Sequence, residues 1–142
     1  MIAGLIKTSK IYLCLFLIAY SYAQTDNRIK LQRANTLENI TLKGVSMQYL
    51  KGNVIFKKGD MVLRCDWARF NKKTQEGFLF GKVTMDQKDQ NLVSDSLYID
   101  SPKDILIAYS NVEVWDSTYS LVADTLFYFS EIDSGSANGN TT

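Results

Sequence analysis

Residues Gly52, Gly81, Ser110 and Gly139 lie 29 positions apart, and the same spacing relates Val54, Val83 and Val112, Leu63, Leu92 and Leu121, and Asp66, Asp95 and Asp124. A repeat of this period restricts the chain to an array of equivalent supersecondary units, because so short a unit cannot bury its apolar face alone. The spacing inside the unit says what it is. Val54 and Phe56, Val83 and Met85, and Val112 and Val114 alternate with polar or outward residues, the period of a strand, and helical spacing is nowhere sustained after Ala23. Turn signals fall at about half the repeat: Lys58-Gly59-Asp60, Asn71 to Thr74, Gln87 to Asn91, Ser101-Pro102-Lys103-Asp104, Asp116 to Thr118, and Ser130 to Ser136. The pattern predicts an all-β chain of about six long strands, joined as an antiparallel meander with one hairpin per repeat.

These strands carry a change of phase. Leu63, Leu92 and Leu121 are followed five positions later by Ala68, Leu97 and Leu126, an odd step that would put the second column on the opposite face of a straight strand. A bend or bulge between the columns returns both to one interior. Asp66, Asp95 and Asp124 occupy that gap and are expected to hold the bend by bonding nearby backbone N–H groups. A row of carboxylates for catalysis or calcium is the sharper reading. It lacks support, since the chain has no histidine and no second acidic column accompanies the first.

The ends of the chain read differently. Lys7 and Lys10 precede the apolar run Ile11 to Tyr20, and Ser21, Tyr22 and Ala23 form a small-x-small site before Gln24. This predicts a cleaved secretory signal over residues 1–23, the apolar run being well short of the roughly 20 residues of a spanning helix. Removing it takes two of the 16 basic residues and none of the 15 acidic ones, leaving 14 against 15. So even a balance excludes a nucleic-acid partner of the usual basic kind. Cys65 becomes the only cysteine and is expected to be a small buried residue, because Ser94 and Ala123 share its repeat position. Before the first full unit, Ala34-Asn35-Thr36-Leu37 echoes Ala123-Asp124-Thr125-Leu126 with two extra residues before the next glycine, a looser partial unit. Gly139-Asn140 begins a further copy of Gly52-Asn53, which predicts that the array continues beyond residue 142.

The phrases "LKGNVIFKKGDMVLRCDWARFN", "LVSDSLYID" and "LVADTLFYF", in register behind a signal sequence, resemble the OstA-like family, to which the lipopolysaccharide-transport protein LptA and the N-terminal domain of LptD belong. The resemblance covers about Ile29 to Asn140. Trp67-Ala68-Arg69-Phe70 departs from it, as do Asn71 and Phe129 where the middle copy has Asp100. The resemblance implies an OstA-like β-jellyroll domain over residues 24–142, a V-shaped stack of bent antiparallel strands in the periplasm. Its apolar trough would carry lipopolysaccharide acyl chains, and modules would join end to end by edge-strand pairing, with themselves or with an outer-membrane LptD-like protein. The residues expected to line the trough are Val54, Phe56, Leu63, Val83, Met85, Leu92, Leu97, Ile99, Val112, Val114, Leu121, Leu126 and Tyr128. No cofactor is required.

Two other classes fit a 29-residue repeat. One is an exported stalk or adhesin, a parallel β-solenoid with a dry core in which each unit is one coil. The other is a carbohydrate-active enzyme on a β-helix scaffold. That would need one exceptional unit bearing an acid and base pair, whereas the carboxylates here are locked to the repeat or placed in turns.

Overall fold

The computed structural model describes residues 28–129 and 134–139, so the expected signal sequence lies outside the described residues. The strands are β1 (Lys30–Arg33), β2 (Thr36–Leu42), β3 (Val45–Lys58), β4 (Met61–Asn71), β5 (Glu76–Gln87), β6 (Gln90–Asp100), β7 (Ile105–Trp115), β8 (Ser120–Phe129) and β9 (Ser134–Asn138). They form a single sheet in the order β1-β3-β4-β5-β6-β7-β8-β9, with β2 also on β3, and every pair is antiparallel. Repeat-equivalent strands such as β4 and β6 are therefore separated by one strand. A parallel solenoid would make them neighbours, and that architecture is excluded.

The turns follow from their residues. Gly59 and Lys88 take positive φ of 56° and 54° at the two-residue β3–β4 and β5–β6 turns, as such hairpins require. Asp104 N donates to Ser101 O at 3.2 Å, closing a turn with Pro102 in the second position, where its fixed φ fits. Asn71 and Asp116 accept bonds from the backbone N–H groups of Lys73 and Thr74, and of Thr118 and Tyr119. The bonds to the Asp116 carboxylate hold its pKa below the usual 3.8. One turn is shorter than its residues predict: Ser134 to Ser136 belong to β9, which pairs with Thr125–Phe129 of β8, and residues 130–133 lie outside the described residues. Ser and Gly signal a turn by themselves, but the edge of β8 supplies hydrogen-bond partners that draw them into the ladder.

At mid-length every long strand bends. Gly52-Asn53, Gly81-Lys82 and Ser110-Asn111 are consecutive left-handed pairs, with φ of 77° and 48°, 77° and 47°, and 65° and 52°. Register shifts at the same level between each pair of long strands, as between Phe80 and Val83 or Tyr109 and Val112. These bulges lie on one line across the sheet and fold it into two halves. On β4 the buried positions are Leu63 and Cys65, then Ala68 and Phe70; on β6 they are Leu92 and Ser94, then Leu97 and Ile99. A step of three at the bend resets the phase, as the five-residue interval between columns required.

Folding brings distant parts of the sheet together. Phe56 pairs with Leu63 across the ladder, seven positions from Phe70, about 23 Å along a straight strand. The rings of Phe56 and Phe70 are nonetheless 5.2 Å apart. The two halves therefore close on a common interior.

Candidate functional site

That interior is where the repeat columns converge. Val54, Phe56, Leu63, Val83, Met85, Leu92, Leu97, Ile99, Val112 and Leu126 are all buried in a single cluster, and Val114, Leu121 and Tyr128 pack against it partly exposed. All thirteen residues expected inside are there. Sequence reasoning overlooked Leu50, Leu79 and Ala108, which are also buried. They are 29 positions apart as well, so the repeat itself could have disclosed them. Alternation hid this column because the neighbouring outward residues are apolar too.

Those neighbours form an aromatic face on the outside of the sheet. Trp67 stacks on Phe80 at 4.0 Å, Phe78 meets Tyr98 at 4.9 Å, and the Arg69 guanidinium lies 4.8 Å from the Phe78 ring. Cross-strand pairs of this kind stabilise a sheet. Desolvation and a 2.8 Å bond to Glu76 push the Tyr98 phenol up to about 12. Trp67, with no counterpart in the other copies, is 42% exposed on this face and takes no part in the core.

Each acidic side chain at the bend covers the bulge of the next strand. A Cβ on Gly81 would stand 2.7 Å from Asp66 Oδ2, and one on Gly139 would meet Asp124 Oδ2; Asn35 covers Gly52 in the same way. The looser first unit thus repeats the device with an amide. In the middle copy Ser110 replaces the glycine, and Asp95 accepts a 2.7 Å bond from Asn111 Nδ2, a side-chain partner where a backbone one was expected. The column therefore serves geometry. Among the described residues no group of three or more His, Cys, Asp or Glu could hold a metal ion. Cys65 is buried, and desolvation raises its thiol to about 12, which makes it a poor nucleophile.

The side of the fold opposite the bend is bridged by polar contacts. Lys58, at the tip of the β3–β4 hairpin, donates to Ser101 O at 2.8 Å and forms an ion pair with Asp104, both in the β6–β7 turn. Tyr128 Oη donates to Gln90 Oε1 at 3.3 Å. Between these bridges and the bend the interior is occupied by the protein's own side chains. At the N-terminal end it opens. A cleft of 540 Å³ there is lined by Ile29, Leu31 and Phe70, members or neighbours of the core, together with Arg28, Lys30 and Lys72. The fold thus has a packed apolar interior, bridged along its side and flanked by a cleft at one end.

The sequence matches the family described as OstA-like protein over residues 26–136. No curated protein matches it. Among solved structures, it is similar to that of LptH from Pseudomonas aeruginosa, the LptA-homologous periplasmic component of the conserved lipopolysaccharide transport device. The TM-score is 0.69 at 11% identity, covering 80% of this chain and 84% of that one. At that identity the likeness establishes a shared fold.

Proposed function

The chain belongs to the OstA-like protein family, and from that premise we propose that it is a periplasmic lipopolysaccharide-binding and transport module, carrying acyl chains between the two halves of its folded sheet towards the outer membrane. The observation that carries this reading is the continuous apolar interior, whose lining recurs every 29 residues from Val54 to Val112 and from Leu63 to Leu121. Burying a lipid CH₂ is worth about 0.8 kcal/mol, so exposing a chain of about a dozen carbons to water would cost about 9 kcal/mol. A lining that repeats itself makes successive positions nearly equal in energy, which suits passage more than tight retention. The periplasmic role of LptH, which shares this fold, and the export signal read at residues 1–23 both support the compartment.

The closed interior sets a condition on the mechanism. Leu97, Val54 and Val83 are fully buried, so a chain enters only where the halves part. The seam opposite the bend is held by an ion pair and hydrogen bonds, and such contacts exchange for water at modest net cost when they reach solvent. No strand ladder need break. Joining of modules uses edge-strand pairing at β8, of which β9 covers Thr125–Phe129 among the described residues. Part of that strand's edge is thus already occupied. Concentration-dependent growth in sedimentation is the expected sign.

A photo-crosslinker at Leu97 or Ile99 is expected to capture lipopolysaccharide, whereas one at Lys103, exposed in the β6–β7 turn, is not. Capture at neither inward position would leave a structural β-protein with a permanently dry core.

A further inference from the structure

The open end of the interior has a chemistry that the lining columns lack. β1 pairs with the part of β3 beyond its bulge and β2 with the part before it, so the gap between Leu31 and Leu37 is the gap between the two halves of the sheet. The 540 Å³ cleft occupies this gap, with Phe70 as part of its wall. A second cleft of 580 Å³ adjoins it, sharing Arg28, Gln48 and Lys72 and adding Lys73 with the polar groups of Asn39 and Ser46. Arg28, Lys30, Lys72 and Lys73 bring four cationic side chains to the two lobes, and among the described residues no Asp or Glu lines either. The mature chain as a whole has about as many acids as bases, so this is a segregation of charge and not a reflection of composition.

Gln75 adds an independent observation. It lines the apolar lobe, is 9% exposed, and is held by backbone bonds from its N–H to Asn71 O and from Ser101 N–H to its own carbonyl. Its Nε2 donates to Lys72 O at 2.8 Å, while its buried Oε1 has no hydrogen-bond donor. A buried acceptor left in this state is costly unless a donor arrives. We propose that this end of the fold is a binding site for the headgroup of an anionic amphiphile. The phosphate or carboxylate lies against Lys72, Lys73 and Arg28, a hydroxyl or amide of the ligand donates to Gln75 Oε1, and the acyl chain passes Leu31 and Phe70 into the core. The path of the acyl chain rests on the transport reading above, while the headgroup site stands on its own residues. Cations at this mouth would orient an amphiphile tail-first, so that the apolar part enters the interior and the charge stays at the rim.

The test uses the mature protein, dodecyl phosphate below its micelle concentration, and dodecyl maltoside as a neutral amphiphile of the same chain length, followed by amide shifts in ¹H–¹⁵N spectra. Dodecyl phosphate is expected to shift the amides of Arg28 to Leu31 and Lys72 to Gln75. Lys72→Gln with Lys73→Gln, both in an exposed turn, should weaken it about three- to tenfold at low ionic strength and leave dodecyl maltoside unchanged. Inorganic phosphate should shift the same amides far less. Equal affinity for the neutral and anionic amphiphiles, indifference to the double substitution, or phosphate alone binding as well as dodecyl phosphate would each overturn the proposal. The two readings fail separately. Lipopolysaccharide captured at Leu97 by a protein whose dodecyl phosphate binding ignores both lysines removes this site alone; dodecyl phosphate bound here without capture at Leu97 removes the conduit and keeps the site.

Discussion

Substituting Gly81 by Ala tests the line of bulges that folds the sheet. The residue has φ of +77°, and a methyl group there would come within 2.7 Å of Asp66 Oδ2 and 2.9 Å of its Cβ. The left-handed backbone costs an L-residue about 1–2 kcal/mol, offset by about 0.4–1 kcal/mol because alanine has less freedom to lose on folding. Displacing Asp66 adds an overpacking cost of about 1–3 kcal/mol, since its Cβ is fixed to the backbone and cannot swing aside. The sum is a destabilisation of about 2–4 kcal/mol. Gly59→Ala is the internal control, because Gly59 has φ of +56° but nothing within 4 Å of the added carbon, so only the backbone contribution of about 1 kcal/mol remains. Urea denaturation of both variants and the parent protein measures the difference. Equal losses for Gly81→Ala and Gly59→Ala would show that Asp66 does not lock the bend, and the geometric account of the acidic column would have to be abandoned.

Three further outcomes are expected. Ser110→Gly places glycine at the one copy of the bulge that lacks it, where φ is 65°, and should stabilise the fold by about 0.5–1 kcal/mol in the same assay, the relief of left-handed strain exceeding glycine's entropic cost. Lys58→Met removes the cation that bonds Asp104 and Ser101 O across the seam and should cost about 3–5 kcal/mol, with part of the loss recovered by adding Asp104→Asn; no recovery would mean that the pair is not coupled. Leu97→Ala should cost about 2–5 kcal/mol of stability in the lipid-free protein, because Leu97 is fully buried, and a loss well under 1 kcal/mol would show that the interior is already open in solution.

What the sequence disclosed, and what it did not, follows from the repeat. Period-two columns at a 29-residue interval identified the interior strands, and the odd step from Leu63 to Ala68 required the bulge that the register shifts now locate. The same interval held Leu50, Leu79 and Ala108, but their strands are apolar on both faces, as in Phe78-Leu79-Phe80, and alternation there vanishes. Burial of one face and aromatic stacking on the other select similar residues for different reasons. Ser134 to Ser136 signal a turn by composition, and only the edge of β8 beside them makes them part of a strand. The cationic mouth was beyond reach altogether. Arg28 and Lys72 are 44 positions apart, and only the folding of β1 and β2 onto opposite halves brings them to one cleft.

Spin labels at Asp60, on the exposed tip of the β3–β4 hairpin, and at Lys103, on the turn it meets across the seam, report most directly on whether lipid lies between the halves of the sheet. Pulsed electron resonance on the protein should give a single short distance without lipid. Lipopolysaccharide should move the distribution to longer distances, while a delipidated saccharide core of the same material should leave it in place. A distance that stays short in a sample shown to have bound lipopolysaccharide would contradict passage through the interior and place the lipid on another surface.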